Sequence, residues 1–286
     1  MSCRGAPCGL PKNSTEWTGG DKRLPYESQQ LMPILDIKNC SMHFGGLKAV
    51  DRLDLSMEKG ELVGLIGPNG AGKTTVFNMV TGVYDSTLGE IFFQDKKLNG
   101  KKPYQITSYG VGRTFQNIRL FSNLTVLDNV KTACHLHSKE GMWSSVTRSK
   151  RFLEEEDELT ERSMNLLKIF GLDVLKDEKA MNLPYGQQRR LEMARALATD
   201  PKLLLLDEPT AGMNPQETQY VMSLICRIRD DFELTILLIE HDMRVVMGCC
   251  ERIVVLDYGV KIAEGPPEKI KKDPKVIEAY LGEEMK

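Results

Sequence analysis

The stretch Leu62-Val63-Gly64-Leu65-Ile66-Gly67-Pro68-Asn69-Gly70-Ala71-Gly72-Lys73-Thr74 decides the fold. Its first five residues contain no polar side chain, the pattern of a strand covered on both faces in a parallel sheet. Residues 67–74 then match G-x-x-x-x-G-K-[ST] in full, and Thr74 to Val80 reads as a helix. Strand, glycine-rich turn and helix in that order make a phosphate cradle. The glycines let the backbone bend until successive N–H groups converge on phosphate oxygens. The helix N-terminus adds partial positive charge, and Lys73 adds a full one. Thr74 is placed to offer its hydroxyl to Mg²⁺. A chain of this length matches the pattern by chance roughly once in a hundred, and the correct flanks lower that further. ATP binding by Gly67, Pro68, Asn69, Gly70, Ala71, Gly72, Lys73 and Thr74 is the first functional expectation.

Outward from this loop, short β-rich runs alternate with longer helical ones, the mark of an α/β domain with a largely parallel sheet. The predicted strands are Ile34 to Asn39, Leu62 to Ile66, Ile91 to Phe93, Leu203 to Leu206, Thr235 to Ile239 and Ile253 to Leu256. Between about 116 and 182 the strand signal disappears. A helix opened by the N-cap candidate Thr125 and a long charged one near Arg148 to Phe170 replace it. This predicts a core of about 32–115 and 183–286 carrying a helical insertion. The acidic run Glu154 to Glu158 reads as a solvated helix face, and short amphipathic segments around Pro267 to Leu281 close the chain. Residues 1–31 are rich in Gly, Pro and Ser without periodicity and read as a flexible extension. They lack the apolar core of a secretory signal, and Met32 stands directly before the first strand as a candidate start.

Of the 286 residues, 41% are hydrophobic and 27% charged, ordinary values for a globular chain with a large core. The net charge of −2 argues against a nucleic-acid partner, which calls for a basic face to displace counterions. The longest apolar runs fall far short of the roughly 18 residues a spanning helix needs, so in any transport role other chains supply the pore and this one docks to them from the cytoplasmic side. The seven cysteines show no C-x-x-C spacing and fit a reduced, cytosolic setting as small core fillers.

Far downstream, Leu203-Leu204-Leu205-Leu206-Asp207-Glu208 is an apolar strand ending in two carboxylates, which would emerge at the carboxyl edge of the sheet beside the phosphate loop. Hydrolysis needs one carboxylate to organise Mg²⁺, here Asp207, and one to polarise the attacking water, here Glu208.

At this point the sequence resembles a known family, the ATP-binding subunits of ATP-binding cassette importers, and more narrowly their branched-chain amino acid branch. The resemblance spans about 34–282. It rests on Phe44-Gly45-Gly46-Leu47-Lys48-Ala49-Val50, the phosphate loop, Gly112-Arg113-Thr114-Phe115-Gln116, Leu183-Pro184-Tyr185-Gly186-Gln187-Gln188-Arg189-Arg190, the Asp207-Glu208 strand, Ile239-Glu240-His241-Asp242-Met243, and the closing Ala279-Tyr280-Leu281-Gly282. It implies a P-loop cassette ATPase with a mixed sheet core, antiparallel β elements and a helical subdomain. Phe44 then stacks on adenine, Thr75 joins the nucleotide contacts, Gln116 touches Mg²⁺ and water, and His241 contacts the γ-phosphate.

The resemblance further implies a dimer, with itself or with a second cassette, in which Gly186 and Gln187 of one chain face the ATP held by the other. It implies permease subunits in the membrane, a periplasmic or extracellular binding protein acting indirectly, and peripheral attachment to the cytoplasmic side of the inner membrane. Two positions depart from the family pattern. Pro184 and Tyr185 stand where Ser and Gly are usual, so a hydroxyl contact to the γ-phosphate is lost while the Gly186 and Gln187 amides are expected to keep facing phosphate. Asn214 stands where the dimer-contact loop usually carries Asp, which drops a charge. Other readings are a cassette for lipopolysaccharide export or urea and amide uptake, a soluble cassette ATPase acting on nucleic acid, and a nucleotide-binding regulator without turnover.

Overall fold

A computed structural model describes residues 32–137 and 150–284. Among them the strands are β1 (Leu35–Phe44), β2 (Leu47–Met57), β3 (Leu62–Ile66), β4 (Leu88–Phe93), β5 (Lys96–Lys97), β6 (Val111–Arg113), β7 (Leu203–Asp207), β8 (Thr235–Ile239), β9 (Arg252–Asp257) and β10 (Val260–Gly265). The helices are α1 (Lys73–Val80), α2 (Pro103–Tyr109), α3 (Val126–Cys134), α4 (Lys150–Ile169), α5 (Tyr185–Leu197), α6 (Pro215–Asp231), α7 (Met243–Cys249), α8 (Pro267–Ile270) and α9 (Pro274–Glu284).

Two sheets form. The larger has the order β10-β9-β3-β8-β7-β6, in which β9, β3, β8, β7 and β6 run parallel and β10 pairs antiparallel at the edge. The smaller, β2-β1-β4-β5, is antiparallel throughout. Because alternate side chains of a strand point to opposite faces, the central strands serve two cores. Val63, Leu65, Leu205, Leu237 and Val254 pack with Val76, Phe77 and Val80 of α1 and with Ile37, Leu53 and Phe93 of the smaller sheet. Leu62, Leu204, Leu206, Leu238 and Val255 pack on the other face with Val130, Leu191, Ile225 and Val246 from α3, α5, α6 and α7. Helix α1 therefore lies between the two sheets, and every residue of β3, β7 and β8 is buried.

The predicted strands at 62–66 and 235–239 match β3 and β8 residue for residue. Strand β2 is absent from the sequence-based expectation. Positive φ at Asn39 (47°) and Arg52 (48°), with register shifts between β1 and β2, interrupts the period-two alternation that marks a half-buried strand. Thr125 does cap α3, its Oγ1 accepting the Asp128 N–H over 3.0 Å. In the acidic run, Glu156 is not merely solvated but pairs with Lys131 of α3. The proposed extension at 1–31 and the start of the charged helix at Arg148 and Ser149 lie outside the described residues. The five described cysteines are free thiols, with Cys40, Cys134 and Cys250 buried.

Candidate active site

Parallel pairing brings remote segments to one edge. The registers Leu65 with Ile239, Asp207 with Ile239 and Arg113 with Leu205 set the carboxyl ends of β3, β8, β7 and β6 side by side. The phosphate loop, the Asp207-Glu208 pair, Glu240-His241 and Gln116 all leave the sheet there, in the position where ligands of open α/β sheets bind.

The loop is shaped by positions that exclude a side chain. Gly67 has φ 150°, and a Cβ on it would stand 2.0 Å from the Leu256 carbonyl oxygen of β9. Gly72 has φ 101°, and a Cβ there would meet the Ala49 oxygen of β2 at 2.4 Å. The Gly259 N–H donates to the Ala71 carbonyl over 3.0 Å, tying the loop to the β9–β10 turn. Lys73 is buried, its Nζ donating to the Gly67 and Pro68 carbonyls over 2.6 and 2.8 Å, so the ammonium lies across the loop. Asn69, Gly70 and Thr74 are exposed on the loop and first helical turn, Pro68 and Ala71 are buried, and Thr75 is half-buried.

Asp207 is 1% exposed. Its Oδ2 accepts from Arg113 Nη2 over 3.2 Å and its backbone N–H donates to Thr114 Oγ1 over 3.2 Å, whereas Oδ1 is buried without a partner. Burial raises the carboxyl above its ordinary pKa, against the pull of Arg113, and lowers Arg113. Arg113 also donates to Asn78 Oδ1 and Thr81 Oγ1 of the α1 region, and its guanidinium lies 5.5 and 4.9 Å from the Phe77 and Phe115 ring centroids. A buried carboxylate oxygen left without a partner fits a cation beside it. The side chains of Thr74, Gln116 and Asp207 carry hard oxygens, the kind Mg²⁺ selects.

Glu208 follows with φ 49°, a left-handed conformation uncommon for a residue other than glycine. Its N–H donates to the Ile239 carbonyl over 2.9 Å, which fixes the turn on β8. Gln116 Nε2 donates to Glu208 Oε2 over 3.1 Å, and His241 Nδ1 stands 3.9 Å from that oxygen. His241 is 62% exposed and Glu208 19%. The turn that follows is held by Glu240, 1% exposed, whose Oε1 accepts from Thr210 N–H and Oγ1 over 2.9 and 2.6 Å.

Gly186 and Gln187 lie apart from that cluster, in the first turn of α5. Gly186 faces Glu217 of α6, where a Cβ would stand 3.1 Å from Oε1. The Gln187 amide differs from its expectation. It donates to the Pro184 carbonyl over 2.9 Å, sharing that oxygen with the Gln188 N–H at 3.0 Å, because Pro184 as N-cap presents its carbonyl to the opening turn. Asn214 is the N-cap of α6, with Oδ1 accepting from the Gln216 and Glu217 amides over 3.0 and 2.9 Å. The amide therefore does the capping work an aspartate would do. Phe44 ends β1 in the smaller sheet, 42% exposed and edge-on to Tyr84 at 5.2 Å between centroids.

Sequence reasoning assigns no role to Arg113, Thr114, Arg189, Glu192 or Glu240. The available signal is charge where strand or helix faces are otherwise apolar, as with Arg113 at the end of β6.

Residues 50–211 match the family model described as ABC transporter, and residues 260–286 match the one described as branched-chain amino acid ATP-binding cassette transporter. The chain is 47% identical over 251 residues to the high-affinity branched-chain amino acid transport ATP-binding protein LivG of Escherichia coli (strain K12), covering 88% of this chain and 98% of that protein. It is 44% identical over the same shares to BraF of Pseudomonas aeruginosa, which carries the same description. A nucleotide-free crystal structure of an ATP-binding cassette from an ABC transporter superposes with a TM-score of 0.76 at 33% identity, covering 87% of this chain and 99% of that one. A dimeric cassette in a post-hydrolysis state with ADP and Pi gives 0.70 at 27% identity, covering 82% and 98%. The chain belongs to the ABC transporter family, as an ATP-binding and ATP-hydrolysing cassette subunit. Within that family its similarity is to the branched-chain amino acid transport ATP-binding proteins LivG and BraF. Among the described residues no helix is long and apolar enough to cross a membrane.

Proposed function

We propose that this chain energises uptake of branched-chain amino acids by hydrolysing MgATP between two cassettes closed head to tail. The observation that carries the hydrolytic part is the meeting of Gln116, His241 and Glu208 within 3.9 Å at the edge where the phosphate loop emerges. Glu208 accepts the proton of the attacking water while Gln116 orients that water and His241 meets the γ-phosphate. Lys73 turns from the Gly67 and Pro68 carbonyls to the phosphates. Phe44 stacks on adenine, and Thr75 adds a contact. Thr74, Gln116 and Asp207 hold Mg²⁺, which when bound neutralises charge on the phosphates and orients them. Gly186 and Gln187 of the second chain close the site from the other side.

The similarity to LivG and BraF, and the match of residues 260–286 to a branched-chain cassette model, support the cargo. The chain sits at the cytoplasmic face of the membrane and docks through its helical segment on two permease subunits, which carry the amino acid delivered by a binding protein. Reconstitution with the permease subunits that co-purify with this chain tests it. ATP-dependent accumulation of leucine, isoleucine or valine is expected, and accumulation of a urea-class or lipid-linked cargo instead would overturn the assignment.

A further inference from the structure

A line of hydrogen bonds runs from the N-terminus of α5 through Arg189 and the Gln116 segment to Glu208. Tyr185, the first residue of α5, accepts a hydrogen bond at its hydroxyl from Arg189 Nε over 3.1 Å, with the guanidinium carbon 5.5 Å from its ring centroid. Arg189, 2% exposed, donates from Nη1 to the Phe115 carbonyl over 2.5 Å and from Nη2 to the Gln116 carbonyl, and pairs with Glu192 at 3.2 Å. Glu192, 1% exposed, accepts at Oε1 from the Phe115 and Arg119 amides over 3.4 and 3.2 Å. Gln116 in turn reaches Glu208 through its own side chain.

Two side chains one turn apart on α5 thus grip two carbonyls and two amides of the segment 115–119. The guanidinium fork is planar and pre-organised, and a buried, satisfied polar network is stronger than the same bonds in water. Helix α5 and the Gln116 segment are therefore tied together by these bonds. The end of α5 that would meet a second chain's nucleotide is the end Tyr185 occupies, and Tyr185 also lies against the loop before α6, where a Cβ on Gly212 would be 3.4 Å from its ring. A serine or glycine at the Tyr185 position has neither a ring nor a phenol to set the Arg189 fork.

We propose that Arg189 and Glu192, oriented by Tyr185, are positioning residues that couple docking of a second chain's nucleotide at Gly186 to the placement of Gln116 against Glu208 in their own chain. The coupling rests on the head-to-tail reading above. It makes the state of one site a determinant of turnover in the other, a reciprocal linkage between two sites through a rigid element.

The test uses the full chain in its transporter complex and two variants. Tyr185→Phe removes only the phenol oxygen. The pair Arg189→Met with Glu192→Leu removes both charges together, so neither is left buried alone. Binding of a fluorescent ATP analogue is expected to stay within about twofold of the parent, while kcat falls about tenfold or more and the Hill coefficient for ATP drops toward one. In a Glu208→Gln background, hydrogen exchange of the 115–119 amides slows on adding ATP, and this response is lost when either variant is added. Parental kcat, Hill coefficient and ATP-dependent exchange in the variants overturn the coupling. Should the paired variant fail to fold, Tyr185→Phe, on a residue 45% exposed, decides alone. If Glu208→Gln by itself leaves turnover intact, the hydrolytic reading falls and the coupling with it. If it abolishes turnover while both variants match the parent, only the coupling falls.

Discussion

Arg113 and Asp207 form a buried ion pair, Nη2 to Oδ2 at 3.2 Å, that occupies one carboxylate oxygen and leaves the other without a partner. Removing one member of such a pair strands a charge. Arg113→Met is expected to lower unfolding free energy by about 3–5 kcal/mol. Adding Asp207→Asn should restore most of it, because the stranded carboxylate is then gone. Urea denaturation of the two variants checks this, and additive losses would show that the pair is not the cause.

Glu208→Gln should lower kcat by a factor of about 10²–10⁴, the range of a general base, while nucleotide affinity persists. The glutamine can still meet Gln116 but cannot take a proton. Phosphate release and nucleotide titration measure the two quantities separately.

Turnover of the chain without its permeases should rise with the square of protein concentration at high dilution, well below the dimer dissociation constant, if the head-to-tail reading holds and half of each site comes from the second chain. Strictly linear turnover counts against a shared site.

Gly67→Ala and Gly70→Ala should differ sharply. At Gly67 a methyl group would overlap the Leu256 oxygen, so nucleotide binding is expected to be lost. At Gly70 a Cβ meets nothing within 4 Å, and only the cost of φ 77°, about 1 kcal/mol, remains. Calorimetric titration with MgATP compares them.

Glu240 gives a pH signature. Burial holds its folded-state pKa above the ordinary 4.5, so the folded chain binds the proton more tightly than the unfolded one. Stability associated with protonated Glu240 is complete below 4.5 and is lost as pH rises through the folded value. Relative to the parent, Glu240→Gln should therefore gain stability as pH rises from the acid side toward neutrality. Denaturation at several pH values reads the slope, and a slope of the opposite sign refutes the argument.

The two departures at 184–185 and 214 show where sequence reading stops. Asn214 reads in the sequence as a weakened dimer contact, yet its side chain caps α6 with a reciprocal bond from the Asn214 N–H to Glu217, a local pattern legible in Asn-x-x-Glu. Tyr185 gains its meaning from Arg189 and thence from Phe115 and Gln116, which lie 74 and 73 positions from Arg189. Nothing in the spacing of residues 183–190 announces that. Strand β2 escapes for a related reason, since its bulge at Arg52 obeys its pairing with β1 rather than a repeat of its own.

By itself, the sequence determined the phosphate loop: strand, glycine turn, lysine and helix are consecutive, and their geometry follows from local backbone freedom and short-range bonds. Tertiary structure alone decided what stands opposite that loop. Gln116 meets Glu208 across 92 positions and Arg113 meets Asp207 across 94, because parallel pairing of β6, β7, β8 and β3 aligns their carboxyl ends. Which side chains meet there depends on register and packing between remote segments, to which the order of residues within any one segment is blind.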